Sequence, residues 1–315
     1  MLSRVADAIY WCSRYVERAE NVARFVKVNL NLMLETPVGR RDDWEPLVLT
    51  TGDQEMFWKH NKEATPENVA WFLTFDAAYP NSILSALTRA RENAQTVREI
   101  ISREMWQVLN EFYLSVREAS KRSFSIDDMA SFYDNICMVG ANYEGVSSAT
   151  LSRGEAWYWS RLGRLLERAD KTSRILDVKY YILLPTVTEV GTSLDQVGWQ
   201  ALLESASALQ MYRQHYHVTN PENVMRFLLF NRAFPRAIHY CIGQAQESLH
   251  AITGTPIGDA QGEAERVLGK LRGQLAYDRP EDVLKHGMHE YIDALQMLFN
   301  DVSGAIQKQF FEYAP

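Results

Sequence analysis

The chain of 315 residues predicts an all-α fold, a helical bundle built from two pseudo-repeats of about 150 residues, 1–150 and 151–315, packed as one structural unit. Three observations predict it. Apolar residues recur at alternating steps of four and three over long stretches, a period that a strand cannot produce. Residues 44–83 and 199–238 align without a gap at an offset of 155, with 14 identities in 40 positions. Hydrophobic residues make up 46% and charged residues 23%, enough for a large core and unlike a disordered or fibrous chain.

The first predicted element is a long helix over residues 5 to 33. Val5, Ile9, Cys12, Val16, Ala19, Ala23, Val26, Leu30 and Met33 form a continuous heptad seam. A helix around Trp44 follows. Thr65-Pro66-Glu67 then places a capping hydroxyl before a proline at the first helical position, with an acid in the first turn. Pro80 is expected to end that short helix, because an interior proline removes a hydrogen bond. Long periodic helices are expected over 81–118 and 127–148. The second half repeats the order. Trp159, Leu162, Leu166, Ala169, Ser173, Leu176, Tyr180 and Leu183 form its seam. Pro185 to Asp195 reads as a loop, Trp199 lies on a helix, and Asn220-Pro221-Glu222 repeats the punctuation before Pro235. Helices over 236–252, 258–275 and 289–311 complete the chain.

Charged stripes flank the two seams. Arg14, Glu17, Asn21 and Arg24 share one face of the first long helix, and Arg164, Glu167, Lys171 and Arg174 share the matching face of the second. Each glutamate has an arginine three residues earlier, close enough to pair. Arg18 sits on a different stripe, among Trp11, Tyr15, Val22 and Phe25, and Arg168 has Leu165 and Ile175 beside it. A guanidinium surrounded by apolar groups must be paired or bind something. A pseudo-twofold arrangement brings the two helices together, with Arg18 on Glu167 and Arg168 on Glu17. Two readings stand side by side. One is a buried ion-pair network that fixes the register of the halves. The other is a pocket in which Arg14, Arg18, Arg24, Arg164, Arg168 and Arg174 recognise a carboxylate or phosphate, with Glu17 or Glu167 as candidate catalytic base.

The motif Tyr10-Trp11-Cys12-Ser13-Arg14-Tyr15-Val16-Glu17-Arg18-Ala19-Glu20 resembles the opening of the bacterial alpha-E family. Arg153-Gly154-Glu155-Ala156-Trp157 with Leu162-Gly163-Arg164-Leu165-Leu166-Glu167-Arg168-Ala169-Asp170 resembles its second copy. The likeness covers nearly the full length, and Ser13 departs from the glycine expected there. Arg91-Glu92-Asn93 also resembles a family motif and adds three candidate ligand-binding residues. The resemblance implies a helical fold and an association with an ATP-grasp protein, a transglutaminase-like peptidase and a proteasome-like peptidase. Peptide synthesis, tagging or modification driven by ATP is the expected setting. No established activity comes with the resemblance.

The remaining patterns narrow the field. With 33 Lys+Arg against 40 Asp+Glu, the net charge is −7, which lacks the basic footprint that nucleic acid demands. No apolar run suits a membrane span, and the charged N-terminus does not read as a secretory signal. Cys12, Cys137 and Cys241 contain no CxxC spacing, so neither a disulfide framework nor a thiolate zinc site is expected, and a reducing cytoplasm fits. Cys12 lies on the seam as a small buried apolar residue. His60 and His215 are expected at core or boundary positions. Asp282, His286, His289 and Asp293 step 4,3,4 on one face, but Gly287 interrupts them and no second cluster completes them, so no metal is assigned. The basic cluster Arg89, Arg91, Arg98 and Arg103 has no counterpart at the 155 offset, and either a solvated helix face or an anionic-ligand site in the first half explains it. There is no phosphate loop or dinucleotide glycine pattern, so no cofactor is expected and any ATP chemistry belongs to a partner. The leading expectation is an accessory or interaction module for an ATP-grasp ligase. The alternatives are an enzyme acting on a peptide or amino acid through the Glu-Arg residues and, more remotely, a metal-dependent helical-bundle oxidase.

Overall fold

The first seam becomes helix α1 (Ser3–Glu35) in the computed structural model, which describes residues 1–35, 44–122, 126–183 and 193–312. Ile9, Cys12, Val16, Ala19, Ala23, Val26 and Leu30 are all buried along it, as a four-three spacing facing a core requires. Short helices follow as α2 (Glu45–Thr51), α3 (Gln54–His60) and α4 (Pro66–Thr74). Thr65 caps α4, its hydroxyl accepting from the Asn68 N–H with Pro66 at the first helical position. Then come α5 (Ile83–Thr96), α6 (Arg103–Ala119) and α7 (Ile126–Thr150).

A second long helix, α8 (Glu155–Leu183), carries the other seam, with Trp159, Leu162, Leu166, Ala169, Ser173 and Leu176 buried. After it run α9 (Ser193–Ser205), α10 (Leu209–His215), α11 (Pro221–Phe230) and α12 (Ile238–Thr253). The Asn220 side chain caps α11 by accepting from the Asn223 N–H. The chain ends in α13 (Glu263–Tyr277), α14 (Pro280–His286), α15 (Met288–Ile306) and a π-helical turn over Gln307–Phe311. All regular structure among the described residues is helical, so the protein is all-α. One hydrophobic core runs through α1, α5, α8 and α12, with α7 against α1 and α15 against α8. Phe311 of the last turn packs on Tyr10 and Trp159, with ring centroids 5.4 and 5.2 Å apart, and so closes over one end of the α1–α8 contact.

Several boundaries differ from expectation. The helix expected over 81–118 is two helices, because Ser102 accepts from the Met105 N–H and starts α6 afresh with Glu104 in its first turn. Pro80 and Pro235 do not end α4 and α11. Those helices stop at Thr74 and Phe230, where Asp76 and Asn231 turn the chain by accepting from N–H groups two residues on. The loop expected from Pro185 to Asp195 lies outside the described residues as far as 192, and Ser193 to Asp195 already belong to α9. His60 and His215 are exposed in the last turns of α3 and α10, where a basic group complements the helix dipole.

Candidate functional site

Tyr10 and Ser13 of α1 lie against Gly163 and Ser160 of α8, and Glu17 and Arg18 lie against Arg168 and Glu167. The two helices therefore run in the same sense along their contact. A Cβ on Gly163 would sit 2.4 Å from the Tyr10 carbonyl oxygen, so the approach requires glycine. On the opposite side Ser13, which replaces the glycine of the resemblance, bonds the Ser160 hydroxyl at 2.8 Å.

This approach brings the two Glu-Arg pairs face to face. Arg168 holds Glu17 with Nε on Oε1 and Nη2 on Oε2, both at 2.8 Å. Arg18 holds Glu167 with Nε on Oε1 at 2.6 Å and Nη2 on Oε2 at 3.1 Å. Both forks are bidentate, the geometry that guanidinium and carboxylate share. The Arg18 and Arg168 side chains are only 13% and 5% exposed, and Glu17 and Glu167 are 2% and 0% exposed. The reciprocal pairing that the stripes predict is therefore present and shielded from water.

The remaining arginines are placed differently from the pairing expected within each helix. Arg14 does not pair with Glu17; it crosses to Glu167, Nε to Oε2 at 2.9 Å, while its guanidinium also donates to Tyr10 and Ser303. Arg164 does not pair with Glu167; it meets Glu144 of α7 at 2.6 Å, and Glu144 also accepts from Arg168. Arg24 pairs with Glu20 one turn back and reaches Ser205 and Ser207, and Arg174 pairs with Asp170 and donates to the Thr50 and Thr51 carbonyls. Each of those two arginines thus ties its long helix to the end of a short helix in the other half.

Asn21 of the first stripe and residues outside both stripes complete the network. Arg236 donates to Glu17 at 3.4 Å, to Asn21 at 3.0 Å, and to Glu20. Asn21 donates to Glu17 at 2.7 Å, and Asn81 accepts from Arg18 at 2.9 Å. The sequence held one signal for Arg236, since it stands 155 residues after Asn81 and both close the link into the next long helix. No spacing pointed to Glu144, which reaches the network from α7.

Electrostatics follow from this crowding of charge. Burial alone would raise the Glu17 carboxyl, but Arg168 and Arg236 outweigh it and hold it well below the usual carboxylate range. Glu167 is brought to about 2 in the same way, by Arg18, Arg14 and Lys171 acting against burial. Asp170, flanked by Arg174 and Lys171, is lowered too. Carboxylates held this firmly ionised are poor proton acceptors near neutral pH. Both oxygens of each glutamate already accept from cations, which leaves no open face for a substrate. The network can lock two helices, and both glutamates are spent within it.

Arg91, Glu92 and Asn93 are not brought to this network. Arg91 donates to Asn110 of α6 at 2.8 Å and lies over the Trp106 and Tyr113 rings, while Glu92 is exposed. Arg98 stacks over Trp106 at 4.8 Å. Arg91 therefore packs α5 against α6 through cation–π contacts, and Arg98 adds one from the link between the two helices. Among the described residues one group could hold a metal ion, Asp177, His289 and Asp293. His289 turns Nδ1 to Asp177 at 2.8 Å and Nε2 to Asp293 at 3.5 Å, so the ring bridges two acids from opposite edges. The Cys12 thiol, buried against Tyr143, is pushed up to about 11, which suits packing and not nucleophilic chemistry.

A helical fold clasped by paired Glu-Arg motifs defines the class. The chain belongs to the Alpha-E family, described as a predicted alpha-helical domain with a conserved ER motif, whose model matches residues 1–311. It is 21% identical over 299 residues to an uncharacterized protein of Mycobacterium tuberculosis strain H37Rv, covering 89% of this chain and 33% of that protein. An uncharacterized protein of Mycobacterium bovis matches with the same identity and coverage. The chain spans about a third of the length of these curated relatives. No solved structure matches it. No helix among the described residues is long and apolar enough to cross a membrane.

Proposed function

We propose that this protein is an accessory module that works with an ATP-grasp ligase in peptide synthesis, tagging or modification, and that its Glu-Arg helices act as a structural clasp. The observation that carries this reading is the saturation of Glu17 and Glu167. Each carboxylate is buried, ionised and held by two or more cations, which disfavours the alternative of an enzyme that uses either glutamate as its base. In the relatives the matching region is one part of a chain about three times as long, as suits a module that acts beside other domains. The choice of an ATP-grasp partner rests on the family resemblance of the two motifs, as does a place beside transglutaminase-like and proteasome-like peptidases. The duplication of a helical unit of about 150 residues is part of the same proposal. It is supported by contacts that recur at equivalent offsets: Arg24 on the Ser205 carbonyl and Arg174 on the Thr50 carbonyl.

The test is co-expression with an ATP-grasp protein of the kind the family resemblance implies. Co-elution of the two chains and faster ATP turnover by the ligase on adding this chain are expected. Separate elution with unchanged turnover contradicts the reading.

A further inference from the structure

Next to the clasp, α1, α2, α4, the link into α5 and α8 enclose a cavity of about 170 Å³. A cavity of about 150 Å³ can take up benzene, so this one is on the scale of a small organic molecule. Val22, Phe25 and Leu73 form an apolar side. Lys171, Arg174 and Asp53 contribute charge, and all three retain unused hydrogen-bonding capacity among the described residues. Lys171 spends one N–H on Asp170 at 2.9 Å and stands 3.7 Å from Glu167. Arg174 uses Nε on Asp170 and Nη1 on two carbonyls, leaving Nη2 unspent. Asp53 accepts from Tyr79 and Asn81 on Oδ2 alone, leaving Oδ1 unspent.

Comparison with the other half sharpens the point. At the 155 offset Asp53, Thr51, Tyr79 and Asn81 correspond to Ala208, Ala206, Phe234 and Arg236, and at the 150 offset Lys171 corresponds to Asn21. There the four residues are buried, and Arg236 spends its guanidinium on Glu17, Glu20 and Asn21. One side of the clasp is packed with alanine, phenylalanine and a paired arginine. The other keeps a carboxylate, a phenol and a lysine around open space. Beyond its bidentate arginine each glutamate has a further cation in either arrangement, Lys171 beside Glu167 and Arg236 beside Glu17. The clasp does not need Asp53 or the space.

We propose that this cavity binds a small free amino acid, its carboxylate on Lys171 and Arg174, its ammonium on Asp53 and an aliphatic side chain against Val22, Phe25 and Leu73. Two cationic donors, a carboxylate and an apolar side lining one cavity complement a zwitterion, whereas a simple anion leaves Asp53 opposed to it. The inference goes beyond the accessory role proposed above, and its test uses this chain alone, so loss of the ligase interaction and loss of ligand binding are read separately.

Isothermal titration of the full chain with L-alanine, L-valine and L-leucine tests it, with the N-acetyl and amide derivatives of whichever binds best as comparators. At least one of the three is expected to bind, with either derivative weaker by about tenfold or more, the cost of one charged hydrogen bond. Val22→Phe, which fills the space without touching a charge, is expected to abolish binding and leave thermal unfolding unchanged or raised. Asp53→Asn keeps the bonds to Tyr79 and Asn81 and is expected to weaken the amino acid about tenfold, but not its N-acetyl derivative. No binding by any of the three at about 1 mM, the weak end of specific recognition, overturns the proposal. So does equal binding of the derivatives.

Discussion

Arg168 and Glu17 are 151 positions apart in sequence and meet through two hydrogen bonds of 2.8 Å in the buried centre of the molecule. Removing the charge from one partner leaves the other without its full compensation in a poorly solvated place, which costs far more than the pair adds. Glu17→Gln leaves Arg168 with Glu144 and Arg236 with Glu20 as their remaining carboxylates, one negative charge short in a buried cluster. It is expected to lower unfolding stability by about 3–5 kcal/mol, read as a drop in the urea midpoint at unchanged slope.

Acid should unfasten the clasp. Glu167 is held at about 2 against an ordinary 4.5, and Glu17 and Asp170 are lowered in the same direction. A carboxyl lowered in the folded state binds fewer protons than in the unfolded chain. Its contribution is therefore complete above pH 4.5 and is lost as pH falls toward 2, at up to about 1.4 kcal/mol per unit and carboxyl. Urea midpoints measured from pH 7 to pH 3 should stay level down to about 5 and then fall steeply. A midpoint that stays level to pH 3 contradicts the lowered values.

Two glycines should respond with opposite signs to alanine. At Gly163 a methyl group meets the Tyr10 carbonyl at 2.4 Å, a backbone atom that cannot rotate away, and Gly163→Ala is expected to cost about 1–3 kcal/mol. Gly145 lies within α7 with nothing inside 4 Å of its would-be Cβ. Gly145→Ala is expected to gain about 0.5–1 kcal/mol by helix propensity alone. Thermal unfolding of the two variants checks both signs.

Thiol accessibility gives a further check. Cys12 and Cys241 are buried, their thiols pushed up to about 11 and about 12 by burial, while Cys137 is half-buried. In the native protein, Ellman's reagent near neutral pH should titrate Cys137 first and leave Cys12 and Cys241 unreacted until urea unfolds the chain. Rapid reaction of all three native thiols contradicts the packing of Cys12 on the α1 seam.

Much of this architecture is written in local pattern. The four-three spacing from Val5 to Leu30 marks a buried stripe because burial on a helix has that period. Thr65 and Asn220 before proline mark helix starts because a side-chain oxygen must satisfy an N–H there. The Arg18–Glu167 and Arg168–Glu17 pairing was legible because an arginine among Trp11, Tyr15 and Val22 demands a partner, and the repeat offered one. What escaped was set by distant geometry. Arg14 and Arg164 each have a glutamate three residues on, yet the tight approach at Gly163 puts Glu167 and Glu144 nearer. Glu144 lies on a helix whose polar residues follow no single stripe. The break at Ser102 was readable as a cap followed by an acid, but the apolar period across it continued and hid it.

The most direct test of the clasp is a double-mutant cycle on Glu17 and Arg168, with Glu17→Gln, Arg168→Met and the pair measured by urea unfolding. A clasp requires the double variant to be more stable than the sum of the single losses allows, by a coupling of about 1.5 kcal/mol or more. Losses that add to within about 0.5 kcal/mol would show that the two side chains do not hold the helices together.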